Sequence, residues 1–89
     1  MKKIVHLLKA LANDNRLKIL NMVDRHKNLS VTELSQLTKI HYKTASNHIR
    51  KLAAAGIIEL SRDKKWVRGN IKKSAKRILN LINSLERRK

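Results

Sequence analysis

Apolar residues recur along this chain at helical spacing for most of its length, interrupted by one stretch of strand character. Ile4, Leu8 and Leu11 lie three or four apart, with Val5, Leu7 and Ala12 broadening the stripe, and predict a first helix over about 2–12. Asn13-Asp14-Asn15 supplies N-cap chemistry and punctuates the chain there. A second helix follows to about Asp24, with Leu17, Leu20 and Val23 inward and Ile19 and Met22 widening the face. His26 to Leu29 reads as a connection in which Leu29 pairs briefly as a strand.

Ser30-Val31-Thr32-Glu33 has the capping-box pattern, which opens a short third helix with Val31, Leu34 and Leu37 inward. Thr38 to His41 is a turn. The next helix spans about Tyr42 to Ala55, with Ala45, Ile49 and Leu52 inward and Ile40 placed to staple onto Ala45. Gly56 stands where a left-handed C-terminal cap is wanted. Ile57, Ile58 and Leu60, the polar tip Arg62-Asp63-Lys64-Lys65, and Trp66-Val67-Arg68 then form a hairpin. From about Lys72 the period is helical again: Ile71, Ala75, Ile78, Ile82 and Leu85 repeat at heptad spacing, with Leu79 and Leu81 beside them. The fold class expected is mainly α with a small β-hairpin, in one domain over 1–89. Within it, 30–56 is a helix-turn-helix and 57–70 a wing.

Composition adds a partner to this picture. Lys and Arg number 22 against 6 Asp and Glu, a formal net charge of +16. Hydrophobic residues still make up 42% of the chain, so the charge does not imply disorder. A field of that sign attracts polyanions, nucleic acid before an anionic membrane surface. No segment reads as a membrane span or a signal peptide, and a membrane partner is not expected. Without Cys there is neither disulfide nor thiolate chemistry, which fits a cytoplasmic, nucleoid-associated protein. Aromatics are limited to Tyr42 and Trp66, so the core must be built from Leu, Ile, Val and Ala.

With Ala45, Ile49 and Leu52 inward, Tyr42, Lys43, Ser46, Asn47 and Arg50 project together from the other side of their helix. Asn47 suits bidentate bonds to adenine, Lys43 and Arg50 reach guanine or phosphate, and Ser46 is small enough for close approach. The competing reading is a merely solvated polar face. On the hairpin, Arg62, Lys64, Lys65 and Arg68 are more cations than solubility needs, and they suit backbone phosphates. Trp66 is expected to close the core beneath the wing, its alternative being a stack on a base or deoxyribose. His48 reads as a buried, hydrogen-bonded structural histidine, its alternative being a ligand. His6, His26 and His41 are scattered, and a metal site is not expected. No nucleophile–base pair or Gly-rich phosphate loop occurs, so neither enzymatic activity nor a cofactor is expected.

The segments LKALANDNRLKIL (8–20), LSVTELSQL (29–37), TASNHIRKLAAAGII (44–58) and LSRDKKWV (60–67) resemble, in order and spacing, those of the ArsR-type winged-helix transcription regulators. That resemblance implies a symmetric dimer whose outer helices pair. Each subunit would set one recognition helix in the major groove and one wing beside it. The family's groove-facing positions fall on Tyr42, Lys43, Ser46 and Asn47. Three departures stand out. Ser30 and Thr32 occupy positions where relatives carry metal-sensing cysteines. Lys39 replaces a frequent turn glycine, and Arg68-Gly69-Asn70 replaces aromatic strand residues.

Two seams, Ile4, Leu8 and Leu11 on the first helix (1–12) and Ile71, Ala75, Ile78, Ile82 and Leu85 on the last (72–89), exceed what one small core needs, and pairing of a homodimer through both is expected. Arg87, Arg88 and Lys89 would then favour the helix dipole at the chain end. The function expected is sequence-specific binding of double-stranded DNA by a dimeric repressor, with no small-molecule effector evident. The rival is a low-specificity architectural DNA-binding protein, which the charge favours. A protein-interaction module that uses the helical seams is a further alternative.

Overall fold

The computed structural model describes residues 1–87, so Arg88 and Lys89 of the expected cationic end lie outside the described residues. The elements run α1 (Lys2–Leu11), α2 (Asp14–His26), β1 (Leu29–Ser30), α3 (Val31–Thr38), α4 (Tyr42–Ala54), β2 (Glu59–Leu60), β3 (Trp66–Arg68) and α5 (Lys73–Arg87). The three antiparallel strands are ordered β1-β3-β2, with Leu29 opposite Val67, and Leu60 opposite the same Val67. The hairpin is thus one edge of a three-stranded sheet completed by the Leu29 strand.

The helix starts are set by local chemistry. Asn13 Oδ1 accepts from the Arg16 backbone N–H at 3.2 Å and caps α2. At α3 the capping box is complete: Ser30 Oγ accepts from the Glu33 N–H at 3.0 Å, and Glu33 Oε1 accepts from the Ser30 N–H at 2.9 Å. The Ser30 N–H first, and the Ser30 hydroxyl second, hold the Glu33 carboxyl below its ordinary pKa. The turn between α3 and α4 places Lys39 in the left-handed region at φ 58°, where a side chain costs on the order of 1 kcal/mol.

The two glycines act differently. Gly56 has φ +75° and open space around it, so it is required for conformation. A Cβ on Gly69 would lie 2.7 Å from Lys27 Cα, so there glycine lets the end of β3 pass against the α2–β1 turn. That turn itself holds Lys27 and Asn28 at positive φ.

The core is aliphatic: Leu20, Ile19, Leu34, Ala45, Ile49, Leu52, Ile57, Val67, Ala75 and Leu79 are all fully buried. Each Leu, Ile or Val so buried contributes roughly 1.5–3 kcal/mol relative to exposure. Three sequence expectations change here. Leu37 is exposed and lines a groove between α2, α3 and α5 of about 690 Å³, because only Val31 and Leu34 of that stripe reach the core. Ile19, read as widening the α2 face, lies at its centre, while Leu17 packs only at the margin. Trp66 is not beneath the wing. Alternation along β3 gives the inward position to Val67, so Trp66 and Arg68 share the outer face.

The heptad seam is also divided. Ala75 and Leu11, expected in an intersubunit seam, are buried in this protomer and have no surface to give a partner. Ile71 and Ile78 pack partly on the same core. The apolar side chains left outward are Met1, Ile4, Val5 and Leu8 on and before α1, and Leu81 and Leu85 on α5, with Ile82 half-buried. A helix carrying apolar residues on more than one face divides them between its own core and the surface.

Candidate nucleic-acid interface

Helix α4 is held from below and left open above. Ala45, Ile49 and Leu52 are fully buried, which fixes the helix rotation and leaves Tyr42, Lys43, Asn47 and Arg50 exposed and Ser46 at the margin. The structure therefore gathers the expected face onto one side of one helix. Within it, Arg50 Nη2 donates to Ser46 Oγ at 3.2 Å, one turn back. At the N-terminus the His41 ring accepts from the Lys43 N–H at 3.3 Å. No carboxylate occurs on α4. Spacing also pointed to two residues the sequence reading passed over: Thr44 and Lys51 are exposed on the same helix, and Lys51 lies one turn beyond Asn47.

His48 anchors α4 to the rest of the domain. Its Nδ1 accepts from Arg16 Nε at 3.2 Å, while Arg16 Nη1 donates to the Ala10 carbonyl at 3.1 Å. One guanidinium thus ties α1, α2 and α4 together. Burial first, then the charges of Arg16 and Lys51, hold His48 below its ordinary pKa, so it is the neutral acceptor this bond needs. The expectation of a hydrogen-bonded structural histidine agrees with this geometry, although the ring is only half-buried.

The wing tip is ordered by Asp63. Ser61 Oγ donates to Asp63 Oδ1 at 2.6 Å, the Lys65 N–H donates to the same oxygen at 3.0 Å, and the Trp66 N–H donates to Ser61 Oγ at 3.0 Å. These bonds, that from Ser61 foremost, lower the Asp63 pKa. They let Lys64 take a left-handed φ of 60° and leave Arg62, Lys64, Lys65 and Arg68 all exposed. Elsewhere Asp14 pairs with Lys18 at 3.6 Å and Asp24 with Lys76. Cations on α4 and the wing are exposed, and Asp63 is held by the tip that presents those of the wing.

Among the described residues, no three His, Asp or Glu side chains converge as metal ligands, and no helix is long and apolar enough to cross a membrane. A model of the bacterial regulatory proteins of the arsR family matches residues 13–59, which run from the cap of α2 into β2. The transcriptional repressor PagR of Bacillus anthracis is 44% identical over 46 residues, covering 52% of this chain and 46% of that protein. The chain thus spans about half the length of this curated relative. The crystal structure of PagR superposes with a TM-score of 0.76 at 30% identity, over 91% of this chain and 93% of that one. The antimony-specific repressor AntR gives a TM-score of 0.87 at 29% identity, over 98% of this chain and 79% of that one. The homodimeric winged helix-turn-helix DNA-binding domain Mb0332 of Mycobacterium bovis gives 0.78 at 25% identity, over 96% and 79%. With the family model matching residues 13–59, more than half of the chain, this chain belongs to the ArsR family of bacterial regulatory proteins.

Proposed function

We propose that this protein is a homodimeric repressor that reads double-stranded DNA with the exposed face of α4 and steadies itself on the backbone with the wing. The observation that carries the reading is the carboxylate-free outer face of α4, with Lys43, Asn47 and Arg50 exposed beside the ordered cations of the wing. Asn47 and Arg50 have the chemistry for base edges in the major groove; Lys43, Lys64 and Lys65 have that for phosphate. Helix-turn-helix 30–56 and wing 57–70 would work as one unit within a single domain.

The dimer would form through the apolar residues left outward on α1 and α5, Ile4, Leu8, Ile82 and Leu85, with Leu81 added and Leu11, Ile71, Ala75 and Ile78, which pack on the protomer's own core, removed. A homodimer is supported by the homodimeric Mb0332 domain. Two α4 helices related by the dyad would then enter successive major grooves about 10 base pairs apart. Repression by promoter occlusion is supported by the naming of PagR and AntR as repressors. The signal is another matter: AntR is antimony-specific, but this chain has no cysteine thiolate to offer such an ion. We infer action without a small-molecule effector, no catalytic activity, and an intracellular place on the nucleoid.

The +16 charge favours a second reading, low-specificity architectural binding. Selection of sites from random duplexes, then competition at about 200 mM salt, separates the two, because phosphate contacts weaken steeply with salt and base contacts do not. A regulator retains its selected site against excess random DNA. Asn47→Ala should relax the preference, and Lys65→Ala should weaken all duplexes evenly and lower the salt slope by about one. Identical effects of both on every sequence would remove the readout role of α4.

A further inference from the structure

The chain has one Tyr, one Trp and no Phe, and neither aromatic ring is in the core. Tyr42 and Trp66 are each 49% exposed, and both line one cleft of about 350 Å³ together with Ser30, Val31, Thr32 and Lys65. Large aromatics normally carry much of a core's burial, so placing both on the surface forgoes it. The position is informative as well. Tyr42 is the first residue of α4 and Trp66 the first of β3, so the cleft lies where the reading helix meets the wing.

We infer that this cleft holds one sugar–phosphate unit of the DNA backbone, with the Trp66 ring against the deoxyribose, the Lys65 ammonium on the phosphate, and the Tyr42 and Thr32 hydroxyls as hydrogen-bond donors. The inference deepens the DNA-binding reading above and rests on it.

The walls are fixed in advance. The Val31 N–H donates to the Lys65 carbonyl at 2.8 Å and ties the wing to the start of α3. On its other side the Lys65 N–H is held by Asp63, and the Trp66 N–H by Ser61. Little ordering remains to be done on binding, which favours affinity. Glu33 stands near the anion site, but its carboxylate already accepts from the Ser30 N–H. Rings contacting sugar tolerate any base, so the contact would fix register and affinity rather than sequence.

Trp66 is the chain's single tryptophan, so intrinsic emission reports on this cleft alone. A labelled duplex followed by anisotropy, with Trp emission recorded in the same titration, tests the site. A change in Trp66 emission that saturates with the anisotropy is expected. Trp66→Ala should lose roughly tenfold in affinity, equally for selected and random duplexes, with the salt slope unchanged because no charge is removed. Trp66→Phe should restore most of the loss, and an unchanged melting temperature of Trp66→Ala separates the lost contact from a folding defect. Unchanged emission at saturation, or Trp66→Ala binding as the wild type does, overturns the cleft and leaves the DNA-binding reading standing. A loss confined to the selected duplex also overturns it, since the contact would then be to a base. No binding of any duplex at low salt overturns both.

Discussion

His48 and Lys39 are the residues whose local chemistry departs most from a generic helical domain. His48 is needed neutral, since its Nδ1 accepts the Arg16 hydrogen bond. Its folded pKa is lowered, so between the folded and unfolded values the unfolded chain binds more protons. Stability from this group is therefore complete above the ordinary histidine value of about 6.5 and is lost as pH falls below it. Melting temperature should decline from roughly pH 7 to pH 5, and His48→Gln, which keeps an acceptor without titrating there, should flatten that decline. The lowered carboxylates Glu33 and Asp63 act in a separate, more acid window, below the ordinary carboxylate range. An equal slope in both proteins would remove His48 from the account. At Lys39, φ 58° makes the opposite substitution informative: Lys39→Gly should raise unfolding free energy by up to about 1 kcal/mol in denaturant titrations. Gly56→Ala, at φ +75° with free space, should lower it by a similar amount.

At the scale of elements, α5 is held by few but specific contacts. Ala75 and Leu79 enter the core, the Lys72 N–H donates to the Ile57 carbonyl at 2.9 Å, and Lys76 pairs with Asp24. Nearer its C-terminus, Asn83 Nδ2 donates to Asn21 Oδ1 at 2.8 Å, and the reciprocal bond measures 3.5 Å. The ion pair is partly solvated, so it contributes no more than roughly 1 kcal/mol. Asn83→Ala should destabilise the domain by about 1 kcal/mol and speed amide exchange in the last turns of α5. Exchange that rose equally throughout the protein would mean that the amide pair does not act locally. The wing shows the same economy. Its tip is ordered by one carboxylate, Asp63, rather than by apolar packing.

For the whole molecule, the apolar surface left on α1 and α5 sets the expected assembly. Leu8 is 47% and Leu81 60% exposed, so charging them removes little from the protomer's own core. Leu8→Glu with Leu81→Glu should leave far-UV circular dichroism unchanged and shift sedimentation from dimer to monomer, because buried carboxylates at an apolar seam are strongly unfavourable. A charged pair that still sedimented as a dimer would place the interface elsewhere. Affinity for a two-half-site duplex should fall with the dimer, because each protomer then binds alone.

The sequence by itself determined the elements and the chemistry of their ends. Periodicity located α1 to α5, Asn13 and the Ser30–Glu33 box marked the starts of α2 and α3, and the inward set Ala45, Ile49 and Leu52 fixed which side of α4 is open. Those features depend on neighbours three or four residues away, and such contacts are written directly in the order of residues. Tertiary structure alone decided which apolar residues the protomer keeps. Leu11 and Ala75 went to the core, Leu8 and Leu85 to the surface, and Trp66 to the outside of a strand whose pairing with β1 and β2 required Val67 within. A stripe of apolar residues states that a face must be covered. What covers it depends on how distant segments pack, and no local pattern carries that.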